Sequence, residues 1–60
     1  MNKEESDILK VVAKLEKASE LEVVKNCEYT HRKVHFSLRA LKRYKHVDTD
    51  DNGSYFVVSK

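Results

Sequence analysis

The apolar residues of this chain change their spacing twice, and the changes divide it into elements. Ile8, Val11, Val12, Leu15 and Ala18 recur every three or four residues, as one face of a helix requires, while Lys10, Lys14, Glu16 and Lys17 stay off that face. Ser6 followed by Asp7 reads as the start of this first helix, because a serine oxygen can accept from free amides and an early acid suits the positive pole of the helix dipole. Leu9 is apolar but lies outside the stripe. Ser19-Glu20-Leu21-Glu22 has the form of a capping box, which opens a short second helix with Val23, Val24 and Cys27 facing inward. Glu28-Tyr29-Thr30 breaks the pattern, and Thr30 caps a third helix running to about Lys45 on a stripe of Val34, Leu38 and Leu41. Beyond Lys45 the period falls to two. Val47 and Thr49 alternate with charged neighbours, Asp51-Asn52-Gly53 supplies a turn, and Ser54-Tyr55-Phe56-Val57-Val58 is rich in strand formers. The order is α-α-α-β-β: a mainly α fold with a C-terminal β-hairpin, in a single domain spanning 1–60.

Charge alters this picture more than composition does. The net charge of +2 conceals a strong segregation. From Met1 to Thr30 five lysines face seven acids, and from Val47 to Lys60 one lysine faces three aspartates. Between His31 and His46 there are six cations, Arg32, Lys33, Arg39, Lys42, Arg43 and Lys45, with all three histidines and no acid. The third helix therefore carries the positive field, which points to a polyanion as partner. Cys27, the single cysteine, excludes an internal disulfide and suits a reducing compartment. Apolar runs are too short for a signal peptide core or a membrane span, so a cytoplasmic or nucleoid-associated protein that does not engage a membrane is expected.

The segment from Glu22 to Asp48, EVVKNCEYTHRKVHFSLRALKRYKHVD, resembles the core of winged helix-turn-helix DNA-binding proteins. Glu22-Val23-Val24 stands where that family opens its first motif helix with Glu-Leu-Ala. Tyr29 is at the apolar position closing the turn, Thr30 at the cap of the recognition helix, and Val34, Leu38 and Leu41 at its buried positions. Val47 matches the apolar residue entering the wing. Two positions depart from the pattern: Glu28 replaces the usual turn glycine, and Lys45-His46 replaces the Gly-apolar pair that commonly ends the recognition helix. The resemblance implies a three-helix winged helix-turn-helix that binds double-stranded DNA, either sequence-specifically as a transcription regulator or as an architectural protein.

The residues themselves agree on the interface. At about 100 degrees per residue, the face opposite Val34, Leu38 and Leu41 gathers Arg32, His35, Phe36, Arg39 and Arg43, with Lys42 beside them. Arginine forks bind phosphates or guanine edges, an α-helix fits the major groove, and amides near Thr30 can receive a phosphate. The expected DNA-binding set is Thr30, His31, Arg32, Lys33, His35, Phe36, Arg39, Lys42 and Arg43. Arg32 and His35 are placed for base contacts, and Phe36 for a thymine methyl or, alternatively, for packing against the wing or under the arginine stems. Asp48, Asp50 and Asp51 should hold the wing tip away from phosphates.

Two metal readings are weaker than their alternatives. Asp48-x-Asp50-x-Asn52-Gly53 opens like a calcium loop, but the twelfth loop position is Ser59 rather than a bidentate Glu, and a turn explains the same residues. Cys27, His31, His35 and His46 lack the spacing of a zinc finger. Neither a phosphate-binding glycine loop nor a nucleophile-base arrangement is present, so no enzyme, small-molecule substrate, metal or cofactor is expected. A homodimer anchored by Leu9 would pair two half-sites. The alternative function is a winged-helix protein-interaction module within a larger assembly, using Phe36, Leu9 and the hairpin.

Overall fold

The computed structural model describes residues 1–58; Ser59 and Lys60, which the expected domain and the calcium-loop reading both include, lie outside them. Three helices, α1 (Lys3–Leu15), α2 (Glu20–Lys25) and α3 (His31–Arg43), precede two short antiparallel strands, β1 (Val47–Thr49) and β2 (Tyr55–Val57). Val47 pairs with Val57, Asp48 with Phe56 and Thr49 with Tyr55. The mainly helical α-α-α-β-β order expected from the periodicity is the order observed.

Helix starts follow side-chain capping. Ser19 and Glu22 form the expected capping box: the Glu22 amide donates to Ser19 Oγ at 3.2 Å and the Ser19 amide to Glu22 Oε1 at 3.0 Å. Helix α1 corrects the sequence reading, because a second capping box lies upstream, with Glu5 N donating to Asn2 Oδ1 at 2.8 Å and Asn2 N to Glu5 Oε1 at 3.3 Å. Ser6 is thus inside the helix. Asp7, freed from any role at the terminus, accepts from the Tyr29 hydroxyl at 2.7 Å. That bond ties the turn before α3 to α1, and it raises the Tyr29 pKa to about 12 because an ionised phenol would lose the bond and face the Asp7 carboxylate.

A second correction concerns Ala18. Helix α1 ends at Leu15, with Glu16 at φ 67°, and Ala18 leaves the helix to bridge Tyr55. The Ala18 amide donates to the Tyr55 carbonyl at 3.0 Å and Tyr55 N returns a bond at 2.8 Å. One residue of the α1–α2 connection therefore occupies the open edge of β2 and binds the hairpin to the helices. Ala18 is fully buried with Ile8, Val12, Val23, Val34, Leu38, Leu41 and Val47, so every element contributes to one core, with β2 adding half-buried Tyr55 and Val57 at its margin. Leu9 also packs half-buried against this core, so it is not the exposed anchor expected for a second copy. Each large fully buried side chain, such as Ile8 or Leu38, contributes about 1.5–3 kcal/mol, which matters in a chain too small to bury many.

The end of α3 is the third correction. The helix stops at Arg43, with Tyr44 as C-cap, rather than near Lys45. His46 N donates to Leu41 O at 2.8 Å and Lys45 N to Lys42 O at 3.0 Å, the paired bonds of a Schellman motif, and Lys45 takes the left-handed conformation at φ 65°. A lysine thus adopts the conformation that glycine enters without a Cβ penalty. Glu28 has no such demand, since Glu16 and Lys45 are the described non-glycine residues at positive φ, and the α2–α3 turn accepts glutamate there without strain.

Lys45→Gly is expected to stabilise the fold by about 0.5–1 kcal/mol, because relief of the left-handed penalty exceeds the entropy glycine adds to the unfolded chain. Urea denaturation checks this through a higher midpoint with an unchanged slope; an equal or lower midpoint would contradict it.

Candidate nucleic-acid interface

Burial of Val34, Leu38 and Leu41 turns the remainder of α3 outward in a fixed order. Ser37, also buried, lies on the same inner side. Arg32, Phe36, Arg39 and Arg43 fall on the opposite ridge and are exposed, and among the described residues the three arginines form no ion pair. The other expected site residues lie at the cap or on the flanks, and each has a protein partner.

On the flank toward α2, Glu20 reaches both histidines: Oε1 meets His35 Nδ1 at 2.9 Å and Oε2 meets His31 Nε2. Residues i and i+4 of α3 are thus held by the two oxygens of one carboxylate. Burial of Glu20 opposes its ionisation, but the hydrogen bonds from His31 and His35 outweigh that and hold its pKa below the usual carboxylate value. Tyr55 lies near the same corner, its hydroxyl pKa raised by burial and then by the Glu20 charge. On the flank toward α1, Lys33 Nζ stands 3.7 Å from Glu4 Oε2. Toward the hairpin, Lys42 Nζ donates to Thr49 Oγ1 at 2.9 Å. Thr30 Oγ1 accepts from Lys33 N at 3.3 Å and caps the helix.

The first turn of α3 contains His31, Arg32 and Lys33 and no acid, an arrangement of the wrong sign for the positive pole of a helix. Glu20 compensates from outside the helix. The sequence places the histidines in the DNA-facing set without pointing to Glu20, because the pairing spans two helices and has no local signature. As an acid in the first turn of α2, Glu20 is already accounted for by the helix dipole, and nothing in the pattern asks for a second role.

The hairpin tip is organised by Asp50, whose Oδ1 accepts from Asn52 N and Ser54 N, each at 2.9 Å, while Oδ2 lies 3.6 Å from Lys17 Nζ. These backbone bonds, chiefly that from Ser54, lower the Asp50 pKa against the opposing effect of its partial burial. Gly53, at φ 80°, donates to Asp50 O at 3.0 Å and closes the turn, which is the use the structure makes of the calcium-loop-like residues. Asp48 and Asp51 are exposed. Cys27 Sγ lies 3.8 Å from the carbonyls of Val24 and Tyr29, and His46 is beyond the other end of α3, so the zinc quartet is not assembled. Among the described residues no helix is long and apolar enough to cross a membrane.

Glu20 gives a pH signature. Its folded pKa is lowered, so the ionised carboxylate favours the fold; that contribution is complete above the ordinary value of about 4.5 and is lost as pH falls through the lower folded value. Wild type should therefore be more stable than Glu20→Gln near neutrality, and urea midpoints of the two should converge in acid below that window. A gap that stays constant through the acid range would contradict the assignment.

No protein-family model matches the sequence, and no curated protein matches it. Among solved structures, the fold is similar to the solution structure of a DNA binding protein from Sulfolobus islandicus, with a TM-score of 0.85, 100% of both chains covered and 15% sequence identity. At that identity the likeness establishes a common fold.

Proposed function

We propose that this chain is a winged helix-turn-helix module that binds double-stranded DNA, with α3 as recognition helix in the major groove and transcription regulation as its cellular role. The observation that carries the reading is the ridge of Arg32, Arg39 and Arg43, three exposed cations gathered on one face of α3 that form no ion pair among the described residues, while Lys33 and Lys42 on its flanks have protein partners. Charges held together at one face repel each other, and a phosphate backbone relieves that repulsion while releasing its own counterions. The likeness to a DNA binding protein from Sulfolobus islandicus supports the same reading.

Within this reading the residues divide by task. Arg32, Arg39 and Arg43 reach phosphates or guanine edges. The Thr30 cap and the amides after it receive a phosphate at the entering end of α3, where the helix has no acid of its own. Lys33 and Lys42 lie at the borders, where they can exchange Glu4 and Thr49 for backbone phosphates. His31 and His35 serve first to hold α3 against α2 through Glu20 and border the groove from that side. The acidic hairpin stays off the DNA and acts as a structural brace. Two copies on adjacent half-sites would raise affinity and specificity.

Titration of labelled duplex DNA at several salt concentrations tests this. With about four phosphates neutralised, log K should fall against log salt with a slope near −0.9 per phosphate. Arg39→Ala with Arg43→Ala should shallow the slope by about 0.9 for each phosphate that the variant no longer neutralises, and leave the helical circular dichroism unchanged. Binding that ignores salt, or a double variant that binds like wild type, would overturn the proposal.

A further inference from the structure

Phe36 is a large apolar side chain in the middle of the arginine ridge, with Arg32 one turn before it, Arg39 and Ala40 one turn after and Arg43 two turns after. It is 59% exposed, a disfavoured situation for a phenyl ring that has no place in the core. Its position is nevertheless braced: the His35 ring meets it edge-on, with centroids 5.4 Å apart and planes at 72°, and His35 is itself held by Glu20. A supported base with an open tip is the form of a contact residue.

We infer that Phe36 reads the 5-methyl group of pyrimidines, in thymine or in 5-methylcytosine, from the major groove; the inference rests on the DNA-binding reading above. In that groove the base edges present hydrogen-bond donors and acceptors, and the apolar feature among them is the C5 methyl. A phenyl ring gains from a methyl and loses against a bare polar edge, which it desolvates without replacing a hydrogen bond. The neighbouring arginines favour edge contact over insertion between bases. Their side chains are longer than that of phenylalanine, so when they reach phosphates or guanine edges the ring tip arrives at the base edges and stops there.

The test uses the full chain and four short duplexes: alternating dA-dT, the same duplex with uracil for thymine, alternating dG-dC, and the same duplex with 5-methylcytosine. Wild type should bind the methyl-bearing member of each pair about three- to fourfold more tightly for each methyl the ring covers. Phe36→Ala should bind both members equally and keep the salt slope, and Phe36→Leu should restore part of the preference. Because the side chain is largely exposed, both variants should retain the wild-type circular dichroism. A preference confined to one pair supports the inference and identifies which base supplies the methyl. Equal wild-type affinity within both pairs overturns it, as does a Phe36→Ala variant weakened in proportion on all four duplexes, which would mark a ring inserted between base steps. Absence of salt-dependent binding to any duplex would sink the DNA reading itself, whereas salt-dependent binding without methyl preference sinks this inference alone.

Discussion

Burial of Val34, Leu38 and Leu41 against the rest of the core sets the rotation of α3 about its own axis, and the chemistry of the exposed surface follows from that rotation. A helix advances about 100 degrees per residue, so a slip of one position would carry the arginine ridge round toward a flank and bring a charged residue to the core. Leaving the three apolar side chains in water would forfeit several kcal/mol from a chain with little stability to spare. The apolar stripe is therefore also the device that aims Arg32, Arg39 and Arg43.

Around this axis the flanking contacts act as guides. Glu20 holds His31 and His35 from α2, Glu4 faces Lys33 from α1, and Thr49 accepts from Lys42 on the hairpin side. Exposed pairs of this kind contribute little to stability individually. Their value here lies in position: they occupy the flanks of the ridge, and among the described residues the three arginines between them form no ion pair. The Ala18–Tyr55 bridge has a comparable role for the hairpin, fixing β2 to the helices.

What was legible in the sequence was local. The α3 stripe, the Ser19–Glu22 box, the Thr30 cap and the change of period after Lys45 are all written within a few residues of one another, and they yield the element order and the basic ridge. The features without a local signature depend on distant partners. Ala18 fits the helical stripe of α1 by spacing, yet strand pairing with Tyr55 takes it out of the helix. Asn2 and Ser6 are both competent caps, and the reciprocal bond with Glu5 favours Asn2. Tyr29 and Asp7 are joined across twenty-two positions, and Glu20 meets its histidines across eleven and fifteen. Lys45 shows a different limit: glycine is favoured at a left-handed helix end, but two backbone hydrogen bonds impose the same conformation on lysine.

The most direct measurement of the central claim is an NMR titration of isotope-labelled protein with duplex DNA, following every backbone amide and the arginine side-chain signals. The largest changes are expected on Arg32, Phe36, Arg39 and Arg43 and on the first amides of α3, with the hairpin tip from Asp50 to Asn52 unmoved. Changes centred on the hairpin or on the outer face of α2, with the α3 ridge silent, would contradict it.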